Sequence, residues 1–83
     1  MINLAVKLKL TFSEWFKISR GRAGLSQAAV AAKLGVKTQT IYNWESNTTK
    51  PKLDPWQTWV LCETLGVTLK QLAEGFKGEG GDD

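Results

Sequence analysis

Ile2, Leu4, Val6, Leu8 and Leu10 alternate with Asn3, Ala5, Lys7 and Lys9, a period of two that predicts a half-buried strand and would scatter around a helix. From Thr11 onward the apolar spacing changes to the three- and four-residue intervals of helices. Thr11 and Glu14 have the spacing of a capping box, and Leu10 with Trp15 that of a hydrophobic staple. A first helix therefore starts at Phe12 and ends near Gly21, with Trp15, Phe16 and Ser19 turned inward. Ser26 can cap a second helix rich in alanine, in which Val30 and Leu34, four apart, form a buried stripe. Gly35 can end that helix in the left-handed conformation, and the small Ala31 lets the next helix approach closely.

The third helix is expected from Thr38 to Ser46. At about 100° per residue, Ile41 and Glu45 share one side with Trp44 and Thr40 adjacent, whereas Thr38, Gln39, Tyr42 and Asn43 fall together on the other. Asp54 and Pro55 supply an N-cap and a first-turn proline for a fourth helix running to about Leu65. Thr68 with Gln71 caps a fifth, in which Leu69, Leu72 and Phe76 close the core and Gly75 ends the ordered chain. The tail from Gly78 to Asp83 has too little apolar surface to offset its ordering entropy and is expected to be disordered. The pattern thus predicts an all-α domain of five helices over residues 11–77, an N-terminal arm at 1–10 and an acidic tail at 78–83. A lone strand needs a partner, so the arm either pairs with its symmetry mate in a homodimer, the preferred reading, or lies against the helices.

Composition narrows the chemistry. Eighty-three residues make one small domain whose core is modest, so dimerisation would add useful buried surface. Trp15, Trp44, Trp56 and Trp59 are expected in the core or at an interface. The chain has no histidine and a single cysteine, which removes a histidine-dependent triad and any Cys/His zinc site within one chain. Cys62, between Leu61 and Leu65, fits a small core position and a reducing cytoplasm. Glu14, Glu45, Asp54, Glu63 and Glu74 are scattered without the local pairing of acid–base catalysis, so neither an enzyme nor a cofactor is expected. No signal peptide or membrane-length apolar run is present.

The net charge of +3 hides an asymmetry. Between Trp15 and Lys52 lie Lys17, Arg20, Arg22, Lys33, Lys37, Lys50 and Lys52 against Glu45 alone, while Glu79, Asp82 and Asp83 make the tail acidic. A basic segment of this kind suits a polyanionic partner. It coincides with the helix, glycine turn and helix around Gly35, an arrangement that can place a helix in the DNA major groove. Thr, Gln and Asn carry groups that pair with base edges, although on the helix alone a solvated face is the commoner explanation.

The order of residues from Arg20 to Leu72 resembles the Cro/CI-type helix-turn-helix family, also called the XRE family. The resemblance rests on Arg20, Leu25-Ser26-Gln27, Leu34-Gly35-Val36, Thr40-Ile41, Trp44-Glu45, Pro51 and a second Leu65-Gly66-Val67. It implies a lambda-repressor-like fold and a sequence-specific DNA-binding transcriptional regulator of bacterial or phage type, in the cytoplasm on nucleoid DNA. Thr38, Gln39, Tyr42 and Asn43 are the implied base readers, Gln27 a phosphate contact with Lys37, Lys50 and Lys52 behind it, and Arg20 with Glu45 a structural ion pair. Two departures stand out. Asn47 occupies a position usually held by glycine, and Lys37 one usually held by Ser or Thr, which moves the expected cap of the third helix to Thr38. The partners expected are double-stranded DNA and a second copy of the chain, with no membrane. The alternative is an antitoxin or accessory subunit that meets another protein through the arm or the Trp56/Trp59 surface.

Overall fold

The computed structural model describes residues 10–77, and within them five helices follow one another: α1 (Phe12–Ala23), α2 (Gln27–Leu34), α3 (Thr38–Glu45), α4 (Pro55–Leu65) and α5 (Leu69–Lys77). There is no strand among the described residues. The predicted strand arm, apart from Leu10, and the predicted disordered tail lie outside them.

Four helices begin on side-chain caps. The Glu14 N–H donates to Thr11 Oγ1 at 3.2 Å while the Thr11 N–H donates to Glu14 Oε1 at 3.0 Å, closing the capping box of α1. Ser26 accepts from the Ala29 N–H at 3.0 Å, Asp54 from that of Gln57 at 2.7 Å, and Thr68 from that of Gln71 at 3.0 Å. The start of α3 differs from the expectation: Lys37 is the extended N-cap residue, it makes no side-chain cap, and Thr38 is already helical. The Thr40 N–H donates to the Lys37 carbonyl at 2.9 Å, which fixes the first turn there and leaves Thr38 no capping position to occupy.

Two helix ends also depart from the sequence reading. α1 passes through Gly21 and stops at Gly24, whose φ of 71° takes the left-handed turn and whose N–H returns to Arg20 and Gly21. Arg22 and Ala23 are good helix formers, so of two glycines three apart the second is the terminator. α5 likewise continues through Gly75 to Lys77. Gly75 is not a stop but a close contact: a Cβ there would lie 2.5 Å from Trp15 Cδ2, so the absence of a side chain lets α5 approach the indole of α1. Leu69, expected in the core, is 64% exposed at the first helical position, while Leu72 is buried and Phe76 packs at the core's edge.

The core joins all five helices. Phe12, Phe16, Val30, Ile41, Leu61 and Leu72 are its fully enclosed side chains, with Trp44 and Cys62 also buried and Trp15 packed against the cluster. Phe16 meets Trp44 at a ring separation of 5.6 Å, tying α1 to α3, and Phe12 stacks on Phe76 at 4.6 Å, tying α1 to α5. Trp56 and Trp59 stand apart from this core, 68% and 53% exposed, with their rings 5.1 Å from each other.

Candidate nucleic-acid interface

α3 is held close to α2 by a three-residue turn. Gly35, at φ 72°, reverses the chain, the Val36 N–H donates to the Ala31 carbonyl at 3.0 Å, and Ala31 itself is buried between the helices. Ile41 and Trp44 then anchor the inner side of α3 in the core. The outer side is fixed by the same geometry: Thr38, Gln39 and Tyr42 are exposed and Asn43 is half-buried beside them. Gln39 Nε2 donates to Asn43 Oδ1 at 3.0 Å, so these two amides, one turn apart, form a unit. The bond uses one donor of Gln39 and one acceptor of Asn43 and leaves each amide groups of both kinds for a further partner.

Glu45, the only acid of α3, takes no part in that face. Arg20 Nε donates to Glu45 Oε2 at 2.6 Å and Arg20 Nη2 to Oε1 at 2.9 Å, a two-bond fork that fixes the carboxylate's plane as well as its distance. Arg20 Nη1 also donates to the Leu25 carbonyl at 2.8 Å, and Gln27 Nε2 donates to Glu45 Oε1 at 3.1 Å. The end of α1, the entry to α2 and the end of α3 are therefore joined at one carboxylate. The Glu45 side chain is 2% exposed and that of Arg20 19%, because the partners close over an acid that itself lies near the surface.

The charges respond accordingly. Burial works to raise the Glu45 pKa, but the hydrogen bonds from Arg20 and Gln27 and the positive charges of Arg20 and Lys17 outweigh it and hold the carboxyl below its ordinary value. The hydrogen bond to Glu45 raises the Arg20 pKa further, against a smaller opposing effect of burial. With both oxygens engaged, Glu45 is a scaffold group rather than an acceptor turned toward a cytosine amine.

The structure thus brings Arg20, Gln27 and Glu45 into one network and Thr38, Gln39, Tyr42 and Asn43 onto one outer face. Lys37 is exposed at the N-terminus of α3, and Lys50 and Lys52 are exposed in the segment between α3 and α4. That segment opens at Asn47, whose φ of 62° is the left-handed conformation its sequence position suggests. The hydrogen bond between Gln27 and Glu45 was not among the sequence expectations, since a separation of eighteen residues across two helices leaves no local signal.

Residues 16–58 match the family model described as Helix-turn-helix, of the XRE type. The chain belongs to the XRE family of helix-turn-helix proteins. No curated protein matches its sequence. The matched segment contains Arg20, Gln27, all of α2 and α3, and Glu45, so it coincides with the ion-pair network and the outer face of α3. The XRE family has a lambda-repressor-like all-α fold and consists of DNA-binding transcription regulators, not typically enzymes. Among the described residues of this XRE protein, no helix is long and apolar enough to cross a membrane.

Proposed function

We propose that this XRE regulator is sequence-specific, of bacterial or phage type, and that it inserts α3 into the major groove with Thr38, Gln39, Tyr42 and Asn43 toward the base edges. The reading rests on one contrast. The carboxylate of α3 is locked into Arg20 and Gln27, while its amide and hydroxyl groups stand outward on a face free of acids. Gln39 and Asn43 suit adenine, whose N7 acceptor and N6 donor a side-chain amide can meet together, and a Thr38 methyl suits thymine.

Gln27 begins α2, where unpaired backbone N–H groups and the positive end of the helix favour a phosphate. Its hydrogen bond to Glu45 orients the side chain there, and the exposed Lys37, Lys50 and Lys52 add phosphate contacts. A homodimer would place two such helices about 34 Å apart on an inverted repeat, and the site of action would be nucleoid DNA in the cytoplasm. The exposed Trp56/Trp59 pair favours a second reading in which the same scaffold also binds a protein, as an antitoxin or accessory subunit would.

Salt dependence tests the principal reading. The logarithm of the binding constant for duplex DNA is expected to fall linearly with the logarithm of salt concentration, with a slope near −0.9 per phosphate neutralised. A salt-insensitive complex, or none at low salt, would overturn it.

A further inference from the structure

We propose that residues 2–9 of the chain seat intramolecularly, as an extended segment, in the apolar groove between α4 and α5. The groove consists of two adjoining hollows of about 570 and 400 Å³ that share Leu53, Thr58 and Leu69. One end is walled by Trp59, Cys62 and Val67, the other by Leu72, Ala73 and Phe76. Leu69, on the outward side of α5, lies at the middle of this path, which accounts for a large apolar side chain left exposed there.

The chain begins its described course at the mouth of that groove. Phe12 stacks on Phe76 at 4.6 Å, and Leu10, two residues earlier, is half-buried. From Phe76 back to Leu69 the helix spans about 10 Å at 1.5 Å per residue, whereas eight extended residues reach roughly 26 Å. Residues 2–9 are therefore long enough to pass Leu69 and reach Trp59. Their alternation supplies the matching surface: Ile2, Leu4, Val6 and Leu8 share the side facing the groove, and Asn3, Lys7 and Lys9 the side facing water. Glu63 on the wall is the one charged side chain lining the groove among the described residues, and its sign is opposite to that of the two lysines.

An intramolecular seat follows from the tether. A short connection holds the segment at an effective concentration in the millimolar range, above that of any second copy in dilute solution. The groove is open along one side, so backbone groups of the seated segment that find no partner on the wall remain hydrated. The seat lies on α4 and α5, away from the outer face of α3, and does not depend on how that face reads DNA.

Cysteine pairing tests the seat. In a Cys62→Ser background, Val6→Cys is combined either with Thr58→Cys, inside the groove, or with Lys17→Cys, on the exposed side of α1. On mild oxidation the groove pair is expected to form an intramolecular disulfide roughly tenfold faster than the control pair, at a rate independent of protein concentration. Equal rates for the two pairs would overturn the proposal. So would disulfides that form only between chains, which would favour a seat in the second copy or arms paired across a twofold axis. The unaltered protein supplies an independent measurement: methyl nuclear Overhauser contacts from Val6 or Leu8 to Leu69 or Ala73 are expected, and their absence in the folded monomer would count equally against the seat.

Discussion

The two halves of the molecule are fastened by different chemistry. The end of α1, α2 and α3 meet at Glu45, where Arg20 and Gln27 supply three hydrogen bonds beside the Phe16–Trp44 ring contact; the start of α1 and α5 meet through the Phe12–Phe76 stack and the close approach of Gly75 to Trp15, and α4 joins the core through the buried Leu61, Cys62 and Leu65. Hydrogen bonds are directional, so the first kind of joint sets how α3 is rotated and what it turns outward. Dispersion and burial are not, so the second sets how near the helices lie and leaves their rotation to shape. The exposed faces follow the same division: amides and hydroxyls on α3, indoles on α4.

The largest effect is expected where the directional joint is cut. Glu45→Ala would leave Arg20 and Gln27 without their acceptor, at a site between a buried and a surface pair, and is expected to lower stability by about 2 kcal/mol in thermal or urea unfolding. Operator affinity is expected to fall further than the loss of folded protein explains, because α3 loses its fixed rotation. The same acid gives a pH test. Its folded pKa lies below the unfolded value, so its contribution is complete above the unfolded carboxylate range near pH 4.3 and is lost as pH falls through the folded value. Glu45→Gln is therefore expected to show a shallower loss of stability with acidification below about pH 4.3 than the unaltered protein. Identical slopes would mean that the carboxylate gains nothing from the network.

Next comes the outer face itself. Gln39→Ala or Asn43→Ala is expected to weaken binding to the preferred site by roughly 1–3 kcal/mol and to relax discrimination at one base pair, with unfolding almost unchanged. Because the two amides are hydrogen-bonded to each other, the double variant is expected to cost less than the sum of the singles. Uniform weakening on all sequences would assign Gln39 to the phosphates instead.

How far the sequence discloses this arrangement depends on the range of the interaction. The caps at Thr11, Ser26, Asp54 and Thr68 are legible because donor and acceptor stand three residues apart, and the outer face of α3 because helical periodicity is local. The pairing of Arg20 with Glu45 was legible only through resemblance to a family, and Gln27 as a third member was not, since nothing local ties α2 to the end of α3. The misreadings have one character. Gly21 and Gly75 each look like a helix stop in isolation, yet Gly21 is followed by helix-forming residues and Gly75 answers to Trp15, sixty residues away. Leu69 reads as core from its spacing with Leu72 and Phe76, but at the first position of α5 it falls outside the buried side.

Gly75→Ala probes the non-directional joint. In an open helix this change would stabilise by up to about 1 kcal/mol, but here the added Cβ meets the indole of Trp15 at 2.5 Å, and overpacking of this kind costs about 1–3 kcal/mol. Net destabilisation of about 1 kcal/mol is expected, with unchanged base discrimination in the folded protein. Altered discrimination would mean that the two joints are coupled through α1, which touches both.

The smallest effect is expected at Trp56. Its ring is 68% exposed, its one ring contact among the described residues is the tilted one with Trp59, and it sits in the first turn of α4, where the cap is made by Asp54 and Gln57. Little apolar area leaves water when it packs, so Trp56→Ser is expected to change stability by no more than about 0.5 kcal/mol and DNA affinity not at all. Sedimentation gives this variant its diagnostic value. A fall in mass without a change in monomer stability would locate a contact between copies on the α4 surface, and a loss above about 1 kcal/mol in the isolated monomer would mean that the indole is covered by part of its own chain. If neither changes, the exposed indoles contribute nothing to folding or self-association, and a different protein becomes the partner that their surface fits.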